Sequence, residues 1–267
     1  MITWDSFIWF GIPSVLLSAA GAVVSMCAND HWSACSVKYR QRRKIAVSFT
    51  VSAVVVMTAF IIGLWITLQR PPLKTMGETR LWYSFFALIS GLFTYLRWRY
   101  KWILSYSTVL AAVFIIINIA KPQIHDQSLM PALQSVWFIP HVTVYMFSYS
   151  LLGCAFLLAL VGFVRPGADV FPAMDTLVYV GLAFLTFGML SGALWAKEAW
   201  GHYWSWDPKE AWAAAAWGLY LLAIHLRGRG RWFVAVVVAA FLTLQMCWYG
   251  VNYLPSAENS VHTYNQK

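Results

Sequence analysis

The sequence predicts an all-α integral membrane protein with about eight transmembrane helices and both termini on the outer face of the membrane. Composition is the first reason. Of the 267 residues, 60% are hydrophobic and 11% charged, against about 45–50% and about 25% in soluble domains. That leaves too few polar groups to cover so much apolar surface. Second, the apolar residues form continuous stretches rather than alternating ones, which reads as helices, the form that satisfies its own backbone polar groups in lipid. The third reason is the placement of positive charge between those stretches.

A spanning helix takes about 20 mostly apolar residues. Eight stretches qualify: 6–27, 45–68, 81–97, 102–120, 142–164, 174–196, 210–226 and 232–253, of which the third and seventh are short. An even number of spans puts both termini on one side and sorts the connections into two sets. One set holds Lys38, Arg40, Arg42, Arg43, Lys44, Arg97, Arg99, Lys101, Arg165, Arg227, Arg229 and Arg231. The other holds Arg70, Lys74, Arg80, Lys121, Lys197, Lys209 and Lys267. The positive-inside rule places the richer set in the cytoplasm and the termini outside. Three basic residues between 70 and 80 weigh mildly against this order.

The net charge of +9 therefore records topology rather than a nucleic-acid surface. Cys27, Cys35, Cys154 and Cys247 form no CxxC pair, and two fall inside apolar stretches, which argues against a disulfide framework or a zinc site. No CxxCH occurs. Residues 1–28 carry no basic start, only Asp5, which argues against a signal peptide. There is no long soluble domain, low-complexity tract or evident repeat. The longest outside segments, 121–141, 197–209 and 254–267, share one face and hold most of the unusual residues.

Tryptophan is in excess of what lipid requires. Six of the sixteen Trp lie between Trp195 and Trp217, in LWAKEAWGHYWSWDPKEAWAAAAW. An interfacial aromatic belt accounts for any single ring, but not for the order Trp200-Gly201, Tyr203-Trp204, Trp206-Asp207-Pro208 and Glu210. Gly201 and Pro208 mark turns. Pro208 suits the first turn of a helix with Asp207 ahead of it as cap. The loop would present flat aromatic faces beside carboxylates, a surface for a large planar hydrophobic ligand with polar groups.

WGHYWSWDPKEAW resembles the tryptophan-rich WWD signature of the haem-handling proteins of cytochrome c assembly, and its YWSWDPKE form is closest to the CcsA/ResC branch (system II). The string MPALQSVWFIPHVTVYMFSYSLLGCAF, within 130–164, and WYGVNYLPSAENSVHTY, 248–264, are similar to the family segments before and after the signature. The resemblance covers roughly 70–264. Ahead of it the apolar stretches place two N-terminal transmembrane helices in 1–69, and the resemblance implies a CcsA-like haem-handling domain in 70–267, with the WWD loop at about 195–217. It further implies a bacterial inner (cytoplasmic) membrane location with the loop facing the periplasm.

The same resemblance assigns the histidines. His141 follows Pro140 at the outer start of the fifth span, and His262 lies in the outer tail, so chain order brackets the loop with one His on each side. Bis-His ligation needs two neutral imidazoles on opposite faces of one macrocycle. The family's external haem ligands match His141 and His262. His225 lies fifteen residues beyond Glu210 on the seventh span, about 22 Å deeper, and cannot share that haem. It matches a family ligand of a second, membrane-embedded haem, although Arg227 close by leaves an interfacial position open. The chain offers no evident partner for His225, which the family draws from a CcsB/ResB-type subunit. His202 departs from the pattern and is either a neutral substitution or a modifier of ligation. His125 and His31 read as loop residues.

The implied function is haem delivery across the membrane and covalent attachment of haem b (iron protoporphyrin IX) to apocytochrome c, with the chain as the haem-binding subunit of a holocytochrome c synthase. The apocytochrome brings its own CxxCH thiols, which calls for a thiol-reducing protein as a further partner, so the chain needs to supply position rather than a nucleophile. Trp200, Gly201, Tyr203, Trp204, Trp206, Asp207, Pro208 and Glu210 would form the haem-contact loop. Asp207 would orient propionates or cap a helix; Glu210 would orient propionates or be an interfacial charge. The alternatives are a CcmC-type haem exporter or carrier, a membrane b-type electron-transfer protein, and an aromatic-belt scaffold.

Overall fold

The structure, a computed structural model, describes residues 2–27, 37–125, 135–165, 169–248, 250–255 and 260. His31, Cys35 and His262 lie outside the described residues. Eight α-helices stand among them: α1 Ile8–Met26, α2 Val37–Leu68, α3 Met76–Trp98, α4 Lys101–Ala120, α5 Phe138–Val164, α6 Phe171–Trp200, α7 Pro208–His225 and α8 Arg231–Trp248. Each apolar stretch of the sequence falls on one helix. By length and composition α1, α2, α4, α5, α6 and α8 can cross a membrane. The short stretches, α3 and α7, fall below that mark. The first interleaves its apolar residues with Ser, Thr, Tyr and Trp, and the second is built largely of alanine and aromatics.

Several helices outrun their apolar stretches, for local reasons. Helix α2 begins at Val37 rather than 45, because the run Lys38–Lys44 consists largely of good helix formers that extend it beyond the apolar part. Helix α6 continues to Trp200, where Gly201 takes the left-handed conformation (φ 86°) and closes it. Helix α8 stops at Trp248, and a 3-10 turn follows at Gly250–Tyr253.

The chain packs as two compact units, 1–129 and 130–267. In the first, α1 lies along α2 and α4, and α3 lies along α4. Phe7, Met57, Phe60, Leu64, Leu81 and Ile115 are among its buried core residues. Glu78, wholly buried, organises the start of α3. Its carboxylate accepts two hydrogen bonds from the Arg70 guanidinium (2.9 Å each) and the backbone N–H groups of Lys74 (2.6 Å) and Thr75 (3.1 Å). The Thr75 hydroxyl accepts the Glu78 N–H in return, completing a capping box that the TMGE sequence encodes. His125, read from sequence as a loop residue, is instead packed into this unit: its ring stacks on Trp4 at 3.8 Å and its Nε2 meets Asn118 Oδ1 at 3.3 Å. Burial lowers its pKa below the ordinary imidazole value.

In the second unit α5 runs along α6, α7 along α8, α5 against α8 and α6 against α7. This closed arrangement brings the start of α5, the end of α6, the start of α7 and the end of α8 to one end, where the tryptophan loop lies.

Glu78 gives a direct test of what holds the first unit. Glu78→Ala leaves Arg70 and two backbone donors without their acceptor, and should lower unfolding stability in detergent by about 3–5 kcal/mol. Glu78→Gln keeps one carbonyl oxygen and should lose less. Equal stability of wild type and Glu78→Ala in a denaturant titration would contradict the assignment.

Candidate functional site

His141 sits in the first turn of α5, just after Pro140, and three neighbours fix its ring. Its Nδ1 lies 2.9 Å from the Gly188 carbonyl of α6. A carbonyl can only accept, so Nδ1 carries the proton and Nε2 is the basic nitrogen, the tautomer a metal-ligating imidazole uses. Trp195 stacks on the ring (5.4 Å between centroids, 22°), and Tyr145 meets it edge-on at 4.8 Å. Gly192 makes this approach possible: a Cβ there would stand 2.6 Å from Nδ1 and 2.7 Å from Cε1. Trp195 itself is buried between Phe138 (5.3 Å) and Trp200 (4.7 Å). The aromatic series thus runs from His141 through Trp195 to the edge of the loop.

The loop is held from both ends. At the α6 end the Lys197 ammonium donates to the Gly201 carbonyl (2.7 Å) and lies over the Tyr203 ring at 5.5 Å. At the α7 end the Glu210 carboxylate turns back. Its Oε2 accepts the N–H of Ser205 (2.8 Å), the N–H of Asp207 (3.2 Å) and the Ser205 hydroxyl (3.3 Å). Between those two backbone donors Trp206 is forced into left-handed conformation (φ 59°), and its ring stands 72% exposed. A non-glycine residue there carries strain of order 1–2 kcal/mol, which the Glu210 bonds offset. Trp204 packs edge-on against Trp206 (5.7 Å), and its indole Nε1 is buried with no hydrogen-bond partner among the described residues.

Asp207 and Glu210 are therefore structural. Asp207 Oδ1 accepts the Lys209 N–H (3.0 Å) and the Ser260 hydroxyl (3.0 Å), and both carboxylates are 8% exposed. The cap expected of Asp207 is present. Glu210 completes a capping box with it, from the D-x-x-E spacing of Asp207-Pro208-Lys209-Glu210, so its Oε2 is engaged by the loop itself. Tyr203 and His202 are exposed, and Gly201 closes α6. The Ser260 bond ties the C-terminal tail to the loop two positions before His262 in sequence.

His225 ends α7 at the opposite end of this unit, about 25 Å from Pro208 along the helix. Its ring is exposed, and Nδ1 donates to the Leu221 carbonyl at 2.8 Å, again leaving Nε2 basic. Arg227, which raised an interfacial reading, is tied to Asp175 (3.1 Å) and to the Tyr179 hydroxyl (3.1 Å).

Sequence reading alone missed Gly188, Gly192 and Ser205. The first two act through the register of α6 against α5, which no local pattern encodes. Ser205 could have been found from the capping box, since Glu210 at that position reaches backbone before the cap. The cradle is testable. Gly192→Ala should cost about 1–3 kcal/mol through overpacking of a fixed ring. Gly218→Ala, with open space around its Cβ, should be neutral or stabilising by up to about 1 kcal/mol. Thermal unfolding of the two variants side by side measures the difference.

Comparison with known proteins bears on this arrangement. Residues 26–257 match the family model described as cytochrome C assembly protein. The cytochrome c biogenesis protein CcsA of Chlamydomonas reinhardtii is 34% identical over 175 residues, covering 59% of this chain and 50% of that protein. Its namesake from Cuscuta exaltata is 32% identical over 232 residues (70% and 75%), and that from Synechococcus sp. (strain RCC307) 28% over 283 residues (89% and 91%). A solved chain, the cytochrome c heme lyase CcmF, shares the fold with a TM-score of 0.67 at 16% identity, over 91% of this chain and 46% of that one. The chain thus spans about half the length of the Chlamydomonas relative and of the CcmF chain. With its eight helices, its braced aromatic loop and a family match over most of its length, the chain belongs to the cytochrome c assembly protein family.

Proposed function

We propose that the chain binds haem b as substrate at the tryptophan loop and presents it for covalent attachment to apocytochrome c, as the haem-binding subunit of a holocytochrome c synthase. The observation that carries this reading is the tautomer of His141. A Nδ1–H bond to a backbone carbonyl aims a basic Nε2 from a ring that Trp195, Tyr145 and Gly192 hold in place. On the same loop end stand an exposed indole, Trp206, and a buried donor, Trp204 Nε1, with no partner among the described residues. An axial ligand, a flat apolar face and a polar donor are what a porphyrin with carboxylate tails requires.

His262 is the proposed second axial ligand, reached through the tail that Ser260 anchors to Asp207. His225 is the proposed ligand of a membrane-embedded haem, its exposed ring open to a CcsB/ResB-type subunit that supplies the other imidazole. The haem-handling part is residues 70–267, following the two helices of 1–69. Eight helices span a bacterial inner membrane, with the loop and both termini facing the periplasm. Trp200, Gly201, Tyr203, Trp204 and Trp206 supply the contact surface, while Asp207, Pro208 and Glu210 hold its shape.

Haem supplies vinyl groups as electrophiles. Each thiol of the CxxCH adds across one vinyl C=C bond: a C–S bond forms, the thiol hydrogen goes to the other vinyl carbon, and nothing leaves. The addition needs reduced thiols, hence the thiol-reducing partner, and orientation, which this chain provides. A CcmC-type carrier uses a similar loop without attachment, and the two readings separate on stable complex formation with a ResB-like subunit.

Cytochrome c maturation in cells and the absorption spectrum of the purified protein test the assignment together. His141→Ala and His262→Ala should each abolish maturation and shift the haem spectrum away from bis-His, with partial recovery in added imidazole. Normal maturation in both would sink the proposal. His225→Ala should lower haem content of the purified protein, and an unchanged haem stoichiometry there would remove it from the ligand set.

A further inference from the structure

The carboxylates of the loop are satisfied internally, and so is Lys197. Lys209 is not. It lies in the first turn of α7, ahead of the 210–226 apolar stretch, between the loop and the end of α8. Its backbone is held at both groups: the N–H donates to Asp207 Oδ1 (3.0 Å), and the carbonyl accepts from the Cys247 thiol (3.3 Å). Its ammonium makes no hydrogen bond and no ion pair among the described residues. Burial lowers its pKa despite the nearby Asp207. An ammonium partly withdrawn from water without a direct ion-pair partner is costly, and an arriving anion relieves that cost. Trp204 Nε1, five positions earlier on the same loop, is a second donor with no acceptor among the described residues.

From these two unsatisfied donors on one loop we infer that Lys209, together with Trp204 Nε1, forms a carboxylate subsite that takes a propionate of the bound porphyrin. The inference deepens the proposed function and rests on it. The acidic residues that a sequence reading would give to the propionates carry the same sign as the ligand and are bonded to the backbone. The unpartnered cation is the group of complementary charge. Lys209 is a positioning residue in this role: it fixes the rotation of the macrocycle about the iron–histidine axis, and so decides which edge carries the vinyl groups outward.

The test compares iron protoporphyrin IX with its dimethyl ester, which keeps the ring and loses both carboxylate charges. Each is titrated into the purified full-length chain in a neutral detergent and followed by absorbance. Wild type should bind the diacid roughly tenfold to a hundredfold more tightly than the ester, the span of one charge-assisted hydrogen bond. Lys209→Met should collapse that ratio towards one with the ester affinity unchanged, and Lys209→Arg should preserve it. Equal binding of diacid and ester by wild type overturns the inference, whatever the variants do. A ratio that survives in Lys209→Met also overturns it, and would leave the ammonium to a lipid phosphate instead. If wild type binds neither porphyrin, the haem reading itself fails, an outcome distinct from loss of discrimination.

Discussion

The loop end of the second unit depends on the carboxylate of Glu210. A loop carrying bulky rings between two helices cannot rely on regular structure for its backbone hydrogen bonds, and a buried backbone group left unpaired is costly. Glu210 solves both problems from inside α7. Its Oε2 gathers Ser205 and Asp207, and the residue between them, Trp206, is left to turn outward in a conformation its side chain disfavours. The exposed indole follows from the buried carboxylate. Removing that charge would release two backbone donors and the strain at Trp206 together, so the loop's shape and its aromatic presentation stand or fall as one.

The first unit repeats the device with a different purpose. Glu78 also turns back from the first turn of a helix to bind the backbone before it, but Arg70 neutralises it and no ring is displaced. Comparing the two shows how acidic residues are used here. With only ten Asp and Glu in the chain, burying three of them, Glu78, Asp207 and Glu210, at helix starts sets the geometry of loops that the apolar helices cannot specify. The α6–α7 loop differs because its own cations are not used to neutralise its carboxylate. Lys197 goes to Gly201 and Tyr203, and Lys209 is left over.

Much of this was legible in the sequence, and what was not follows from distance along the chain. Eight apolar stretches became eight helices, because the period and length of apolar residues are local properties. Pro208 after Asp207 announced the start of α7, and Gly201 the end of α6. The extension of α2 back to Val37 was hidden, since a basic run looks like a loop when only hydropathy is followed, although its residues favour helix. The surroundings of His141 were hidden for a different reason. Gly188 and Gly192 lie 47 and 51 positions away, and only the packing of α6 on α5 brings a carbonyl and a missing Cβ to the ring. His125 was misjudged on the same ground: nothing near it in sequence reveals Trp4.

The identity of the group that holds His141 has a chemical consequence under the proposed function. Histidines that keep a metal permanently often donate to a carboxylate, which raises the basicity of the ligating nitrogen and strengthens the bond. His141 donates through Nδ1 to the Gly188 carbonyl instead, a neutral acceptor. The ring is thus held rigidly in orientation yet left a weaker base than a carboxylate-paired histidine. A ligand of that kind suits a transfer site. Under that reading it would present haem in a fixed pose and would yield the iron to the histidine of an incoming CxxCH without first breaking a strong ion pair behind the ring. Glu198, the carboxylate nearest in sequence to Trp195, accepts from the Ser135 hydroxyl ahead of α5, so the local acidic group braces the helix start on which His141 stands.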